Sequence, residues 1–184
     1  MTKENLSGLL AAARGDQPAD LLLTGGKVAD LFGVELIEAQ VAVKDGWIVG
    51  LGPGYEARQT VDVQGGVIAP ALIDGHLHLE STLLCPPALA QVLVPWGTGA
   101  LVADPHEIAN VLGLAGIDYL LAASRGLDLD IFFLAPSCVP ASHLETSGAK
   151  LEASDLAPLA KNPRVLGLAE VMNFPGLAAG QPGL

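Results

Sequence analysis

The stretch VIAPALIDGHLHLE, residues 67–80, decides how the rest of the chain is read. Its first part is apolar, and it closes on Asp74-Gly75-His76-Leu77-His78. A strand alternates its side chains with period two, so His76 and His78 project from one face. Two imidazoles side by side, with the bare Gly75 next to them, are a natural pair of metal ligands. A single histidine at such a place is more often a packed or solvated side chain; the pair at i and i+2, after an aspartate, favours metal. A strand over 67–73 is therefore expected to deliver them.

Working outward, 184 residues suffice for one ordinary domain, or for a small domain joined to part of a larger one. Hydrophobic residues make up 51% and charged residues 16%, with a mean hydropathy of +0.47, which excludes a disordered chain. Twenty acidic residues against nine basic ones give a net charge of −11 with no basic cluster, so neither nucleic acid nor an anionic membrane is expected as a partner. The first twenty residues lack a basic region followed by a long apolar core, so no signal peptide is evident. A charge-free run over 83–103 is long enough to span a bilayer, but Pro86, Pro87, Pro95 and the Trp96-Gly97-Thr98-Gly99 turn argue against one continuous helix. Cys85 and Cys138 lie far apart in no ligand-spaced motif, as in a reduced, cytoplasmic protein.

Three segments are expected. Residues 1–19 read as an N-terminal helix, over 5–14, and a linker, with Leu6, Leu9, Leu10 and Ala13 on one face and Gly15 as the stop. Residues 20–66 carry short strand-like runs at 20–24, 26–30, 38–43 and 47–51 between glycine-rich turns, and read as a small antiparallel, β-sandwich-like unit. Asp45-Gly46 is its hairpin turn. From 67 to 184 long apolar strands alternate with helices: strands at 67–73, 98–103, 130–135 and 164–169, helices at 87–94, 107–124 and 154–161. Apolar strands each followed by a helix are what a parallel α/β sheet requires.

The polar groups of this third segment recur at one place. His76 and His78 follow the first strand; Asp104, His106 and Glu107 the second; Ser137 and Cys138 the third; Glu170 and Asn173 the fourth. In α/β barrels the active site is built from these carboxyl-end loops. Each group also has a plainer reading. Asp104, Pro105 and Glu107 suit the N-cap, N1 and N3 positions of a helix, so capping explains at least one carboxylate. His106 is either a hydrogen-bonding group behind a ligand or a solvated loop residue. Glu170, ending an apolar strand, is costly unless paired or bound to metal. His143 reads as solvated, Cys85 as packing, and Cys138 has no neighbouring base to activate it. No phosphate-binding glycine motif lies between a strand and a helix.

With these residues in view, the chain resembles the amidohydrolase superfamily and, within it, the adenine deaminases. The broad mark is the apolar strand ending in Asp74-Gly75-His76-Leu77-His78 behind a small β unit. The narrower marks are VADPHEIANVLG (102–113), PSCVP (136–140) with ETSG (145–148), and GLAEVMNFPG (167–176), joined by ARGDQPADL (13–21). The resemblance implies a metal-dependent hydrolase (β/α)8 TIM barrel and a binuclear divalent centre, manganese foremost, with iron or zinc as alternatives. It implies hydrolysis of adenine to hypoxanthine and ammonia by a homo-oligomer. His76 and His78 would hold one metal and Glu170 would bridge the pair, with Glu107 at the metal site. Asp104 and His106, with Glu107, would be the catalytic acid–base groups.

A (β/α)8 barrel takes about 250 residues, and about four βα units fit between 67 and 184. The chain therefore reads as the N-terminal part of such a barrel, inactive alone. Two other readings stay open: another amidohydrolase acting on a cyclic amide or aminopurine, and a non-catalytic metal-binding half-barrel closed by a second copy.

Overall fold

The computed structural model describes residues 3–181, and the ends of the expected first and third segments fall outside them. The chain divides into two compact units, residues 1–70 and 71–184.

In the first unit α1 (Lys3–Ala13) ends as its sequence suggests. The amide of Gly15 bonds back to Ala12 and that of Asp16 to Ala11, the paired closure that glycine after a helix permits. Seven strands follow: β1 (Ala19–Thr24), β2 (Lys27–Asp30), β3 (Glu35–Glu38), β4 (Val41–Lys44), β5 (Trp47–Leu51), β6 (Ala57–Asp62) and β7 (Val67–Ile68). They form two sheets, ordered β5-β4-β1-β6 and β3-β2-β7. The expectation of a purely antiparallel unit is corrected: β1 runs parallel to β6, and β2 parallel to β7. Each parallel partner lies more than a dozen residues away, which is the connection length parallel pairing needs; β3 and β6 themselves lack the apolar run that marks a strand.

The β4–β5 hairpin turns on Asp45 (φ 49°) and Gly46 (φ 77°), the two positive φ values of a type I′ turn. Asp20 ties it down, accepting from the Asp45 amide at 2.9 Å and the Lys44 ammonium at 2.8 Å. Those two bonds, the amide first, hold the Asp20 carboxyl below its ordinary pKa. A lowered carboxyl pKa contributes stability that is present above the unfolded value and lost as pH falls through the folded one. Asp20→Asn should therefore lower Tm at pH 7, and the gap to wild type should close as pH falls below the ordinary aspartate range; a gap that persists at pH 2 contradicts this.

The strand expected over 67–73 is two strands. β7 closes the three-stranded sheet of the first unit, whereas β8 (Leu72–Leu77) belongs to the second. Pro70 sits in the break; without an N–H it cannot continue a ladder.

The second unit holds β8, α2 (Pro86–Leu93), β9 (Thr98–Ala103), α3 (His106–Leu112), α4 (Leu114–Ala123), β10 (Asp130–Ala135), α5 (Ala153–Leu156) running into a 3-10 turn, β11 (Val165–Leu168) and α6 (Phe174–Ala178). Its four strands are all parallel, in the order β11-β10-β9-β8. Leu101 and Ala103 on β9 and Ile131, Phe133 and Ala135 on β10 are buried, alternate residues of one face. All but Ala135 pack with Leu89 of α2 and with Ile117, Leu120 and Leu121 of α4 into one core. The single helix expected over 107–124 is two: Gly113, at φ 62° and ψ −142°, breaks it with a backbone only glycine adopts without strain. Arg164 reaches the far end of α4, donating to the Ser124 hydroxyl at 2.8 Å and to the Leu121 carbonyl. Among the described residues no helix is long and apolar enough to cross a membrane. The charge-free run is divided between α2, a 3-10 turn and β9.

Candidate metal centre

The histidine pair is aimed by a register shift. On β8, Asp74 pairs with Leu101 and Leu77 with Ala103, so β8 carries one more residue than β9 over this span, at Gly75-His76. An extra residue in one strand bends it and re-aims its side chains, and glycine is common there. Asp74 fixes the bend by accepting from the His76 amide at 3.1 Å. Leu77 and Leu79 turn into the core, which leaves His76 and His78 on the other side. Their Nε2 atoms stand 3.2 Å apart, with rings edge to face.

His78 is oriented from behind. Its Nδ1 lies 3.1 Å from the Asp104 carbonyl, which can only accept, so the proton is on Nδ1 and Nε2 carries the lone pair toward His76 and Glu170. This is how metal-ligating histidines are held. Glu170, just past β11, puts Oε1 at 3.5 Å from His78 Nε2, 3.8 Å from His76 Nε2 and 3.9 Å from His106 Nδ1. These separations are too long for hydrogen bonds. They are close to the roughly 3.4 Å edge of a tetrahedron whose ligands lie about 2.1 Å from a common ion.

Asp104 is completely buried, and its Oδ2 faces His106 Nδ1 at 3.1 Å. Neither atom has an aligned hydrogen bond, although both are shut off from solvent. Buried polar atoms left so carry a free-energy cost that a shared proton or a neighbouring cation removes. One ligand atom each from His78, Asp104, His106 and Glu170 fall within 4.8 Å of one another, the one such grouping among the described residues. The donor set of imidazoles and carboxylates suits divalent zinc, iron or manganese, so the residues present fit a divalent ion.

Capping of α3 differs from the expected box. The helix begins at His106, Pro105 occupies the N-cap and offers no side-chain bond. The Ile108 amide is instead met by Glu80 Oε1 at 2.8 Å, from the 3-10 turn that follows β8. Asp104 Oδ1 takes the His106 amide at 3.2 Å. Glu107 is thereby released from capping, and its carboxylate accepts the Ser81 hydroxyl at 2.6 Å. It does not join the grouping around Glu170. The sequence offered Asp104 as a helix cap or acid–base group and His106 as a hydrogen-bonding, acid–base or loop residue, but did not place either in one grouping with His78 and Glu170. The missed signal was their spacing: Asp104-x-His106 after β9 repeats the i, i+2 arrangement of His76-x-His78 after β8. His143 is exposed, as read from the sequence, and Cys138 is buried.

A parallel α/β sheet whose carboxyl ends bring histidines and carboxylates together forms a candidate site for a divalent ion. An amidohydrolase family model matches residues 67–184, more than half of the chain, and the protein belongs to that family. Among curated relatives it is similar to adenine deaminases: 47% identical over 176 residues to that of Halalkalibacterium halodurans, and 48% over 177 residues to that of Syntrophobacter fumaroxidans. These alignments cover 95% and 96% of this chain but only 30% and 31% of those proteins, so the chain spans about a third of its relatives' length. Among solved structures it resembles N-acyl-D-glutamate deacylase from Bordetella bronchiseptica, complexed with zinc and a phosphonate inhibitor. The TM-score is 0.60 at 21% identity, over 91% of this chain and 40% of that one. At that identity the likeness speaks for the fold.

Proposed function

We propose that this chain supplies the first four βα units of a (β/α)8 barrel that deaminates adenine, releasing hypoxanthine and ammonia in the cytoplasm as a homo-oligomer. The observation that carries the chemistry is Glu170 Oε1 standing 3.5–3.9 Å from three imidazole nitrogens of two neighbouring strand ends. The substrate comes from the relatives, which share nearly half of their aligned residues with this chain.

In this reading His76, His78 and Glu170 would hold a binuclear divalent centre, manganese first. Such ions, when bound, would supply Lewis acidity and lower the pKa of a water for hydrolysis at the purine carbon bearing the amino group. The chain's own residues do the rest. The Asp104 carbonyl keeps the His78 proton on Nδ1, so Nε2 stays a ligand. Asp104 Oδ2 and His106 Nδ1, 3.1 Å apart, are the acid–base groups for the departing amine nitrogen. Glu107, half-buried and accepting from the Ser81 hydroxyl, is a further acid–base group at the mouth. The family resemblance put it at the metal, whereas its carboxylate does not join the grouping of His78, Asp104, His106 and Glu170.

Joining residues 1–184 to the remaining length of the Halalkalibacterium halodurans relative, and supplying Mn2+, tests this directly. Adenine should give hypoxanthine and ammonia in equal amounts. A folded, Mn2+-loaded chimera that leaves adenine untouched, while turning over a cyclic amide or another aminopurine, overturns the substrate assignment.

A further inference from the structure

Glu170 has a central place in the site but no direct support. Its side chain is 46% exposed, and its carboxylate neighbours are the three imidazoles, none at hydrogen-bonding distance. Where its oxygen sits must therefore be set through the backbone. Behind it, β11 has ended at Leu168, and the last ladder bond runs from the Ala169 amide to the Ala135 carbonyl at 2.9 Å.

The next contacts come from the loop that follows β10. The Ser137 hydroxyl donates to the Glu170 carbonyl at 3.0 Å. The Asn173 amide donates to Cys138 Sγ at 3.3 Å, and Cys138 is 98% shielded, with 2% exposure. Ser137 Oγ and Cys138 Sγ are themselves 3.4 Å apart. Proton counting fixes the direction of that contact. A serine hydroxyl has one proton, and a carbonyl can only accept it, so the Cys138 S–H must point at Ser137 Oγ. The result is one directed chain: Asn173 N–H to Cys138 sulfur, Cys138 S–H to Ser137 oxygen, Ser137 O–H to the Glu170 carbonyl. It closes the 170–173 segment into a loop, and bonds in such a chain polarise and strengthen one another. Asn173 is held in turn, its side-chain oxygen accepting from the Gly176 amide at 3.0 Å.

We infer that Ser137 and Cys138 are positioning residues for Glu170: a hydroxyl–thiol strut that holds the 170–173 segment so the glutamate carboxylate meets the histidines. This rests on the reading of Glu170 as a metal ligand. It also gives Cys138 a role other than nucleophile, since its sulfur is buried and engaged on both sides. Outer partners of metal ligands typically change affinity by about 10- to 100-fold when removed.

The test uses the 184-residue chain and Co2+ alone, read by titration and by the visible absorption of the bound ion. Far-UV circular dichroism and Tm check each variant's fold. Glu170→Ala should lose tight binding. Ser137→Ala and Cys138→Ala should each weaken Co2+ binding by about 10- to 100-fold and shift its absorption band. Ser137→Thr and Cys138→Ser, which keep a hydroxyl able to donate and accept, should restore both. If Ser137→Ala and Cys138→Ala bind Co2+ like wild type while Glu170→Ala does not, the strut is overturned and Glu170 stands as a ligand. Alanine variants that weaken binding without rescue by the conservative pair point to packing and also overturn it. If Glu170→Ala binds like wild type, the ligand reading falls and this inference falls with it. Should Cys138→Ala not fold, Ser137→Ala and Ser137→Thr decide the matter, because Ser137 is only partly buried.

Discussion

Replacing His78 with alanine should weaken Mn2+ binding by more than about 100-fold, beyond what outer-shell changes produce. His78 is the best-placed candidate ligand of the group. Its Nε2 is 3.2 Å from that of His76 and 3.5 Å from Glu170 Oε1, and its tautomer is fixed by the Asp104 carbonyl. Its ring also stacks edge to face on His106 at a 4.6 Å centroid separation, so deletion loosens a second imidazole as well. Glu107→Gln is the informative contrast. Its carboxylate is held by Ser81 and lies outside the grouping, so this variant should bind Mn2+ within about 3-fold of wild type, as surface changes away from a ligand set do. Isothermal titration calorimetry on both variants separates the cases. Equal losses in both would return Glu107 to the ligand set; no loss in H78A would move the ion away from the β8 histidines.

Much of this site was legible in the sequence because the relevant signal is local. Period-two spacing put His76 and His78 on one side of β8, and the repeated strand–helix texture put Asp104, Ser137 and Glu170 at strand ends. What the sequence hid depended on partners distant along the chain. Nothing near Glu107 shows that Glu80, 28 residues before Ile108, caps α3 in its place. Nothing near Asp104 shows that its carbonyl, not its carboxylate, orients His78, 26 residues earlier. The break at Pro70 was readable from proline's missing donor, yet the apolar run across it was stronger as a pattern. The same holds for Gly113, whose positive φ splits a helix that periodicity continued. Strand β6 and the pairing of β7 with β2 were missed for a related reason: pairing decides them, and pairing is not written in either segment alone.

The second large effect concerns what four strands can and cannot do. The 184-residue chain alone should turn adenine over at least about 10^3-fold more slowly than the completed chimera, since misplacing reacting groups by even 1 Å costs about 100-fold. The physical ground is the state of the sheet edges. On β8, Leu72 and Ile73 are 65% and 70% exposed; on β11, Leu166 and Leu168 are 57% and 69% exposed. Parallel strands are otherwise covered on both faces, so these two edges have the chemistry of interior strands without neighbours. A groove of 430 Å³ beside β11, lined by Leu156, Ala157, Ala160, Leu166 and Leu168 among others, lies where a closed barrel continues with its next strand and helix. This sheet therefore lines the site from one side only, and the completed chimera adds the strands opposite β8–β11. The same edges should make the isolated chain self-associate as its concentration rises, by strand addition or by apolar contact. Sedimentation velocity across a concentration series, run beside the deamination assay, reads both effects. Two-fold association that produced adenine turnover with two metals per chain would show that a pair of half-barrels completes one site, and would overturn the expectation of an inactive chain. Association without turnover fits exposed edges seeking partners that cannot supply the strands opposite.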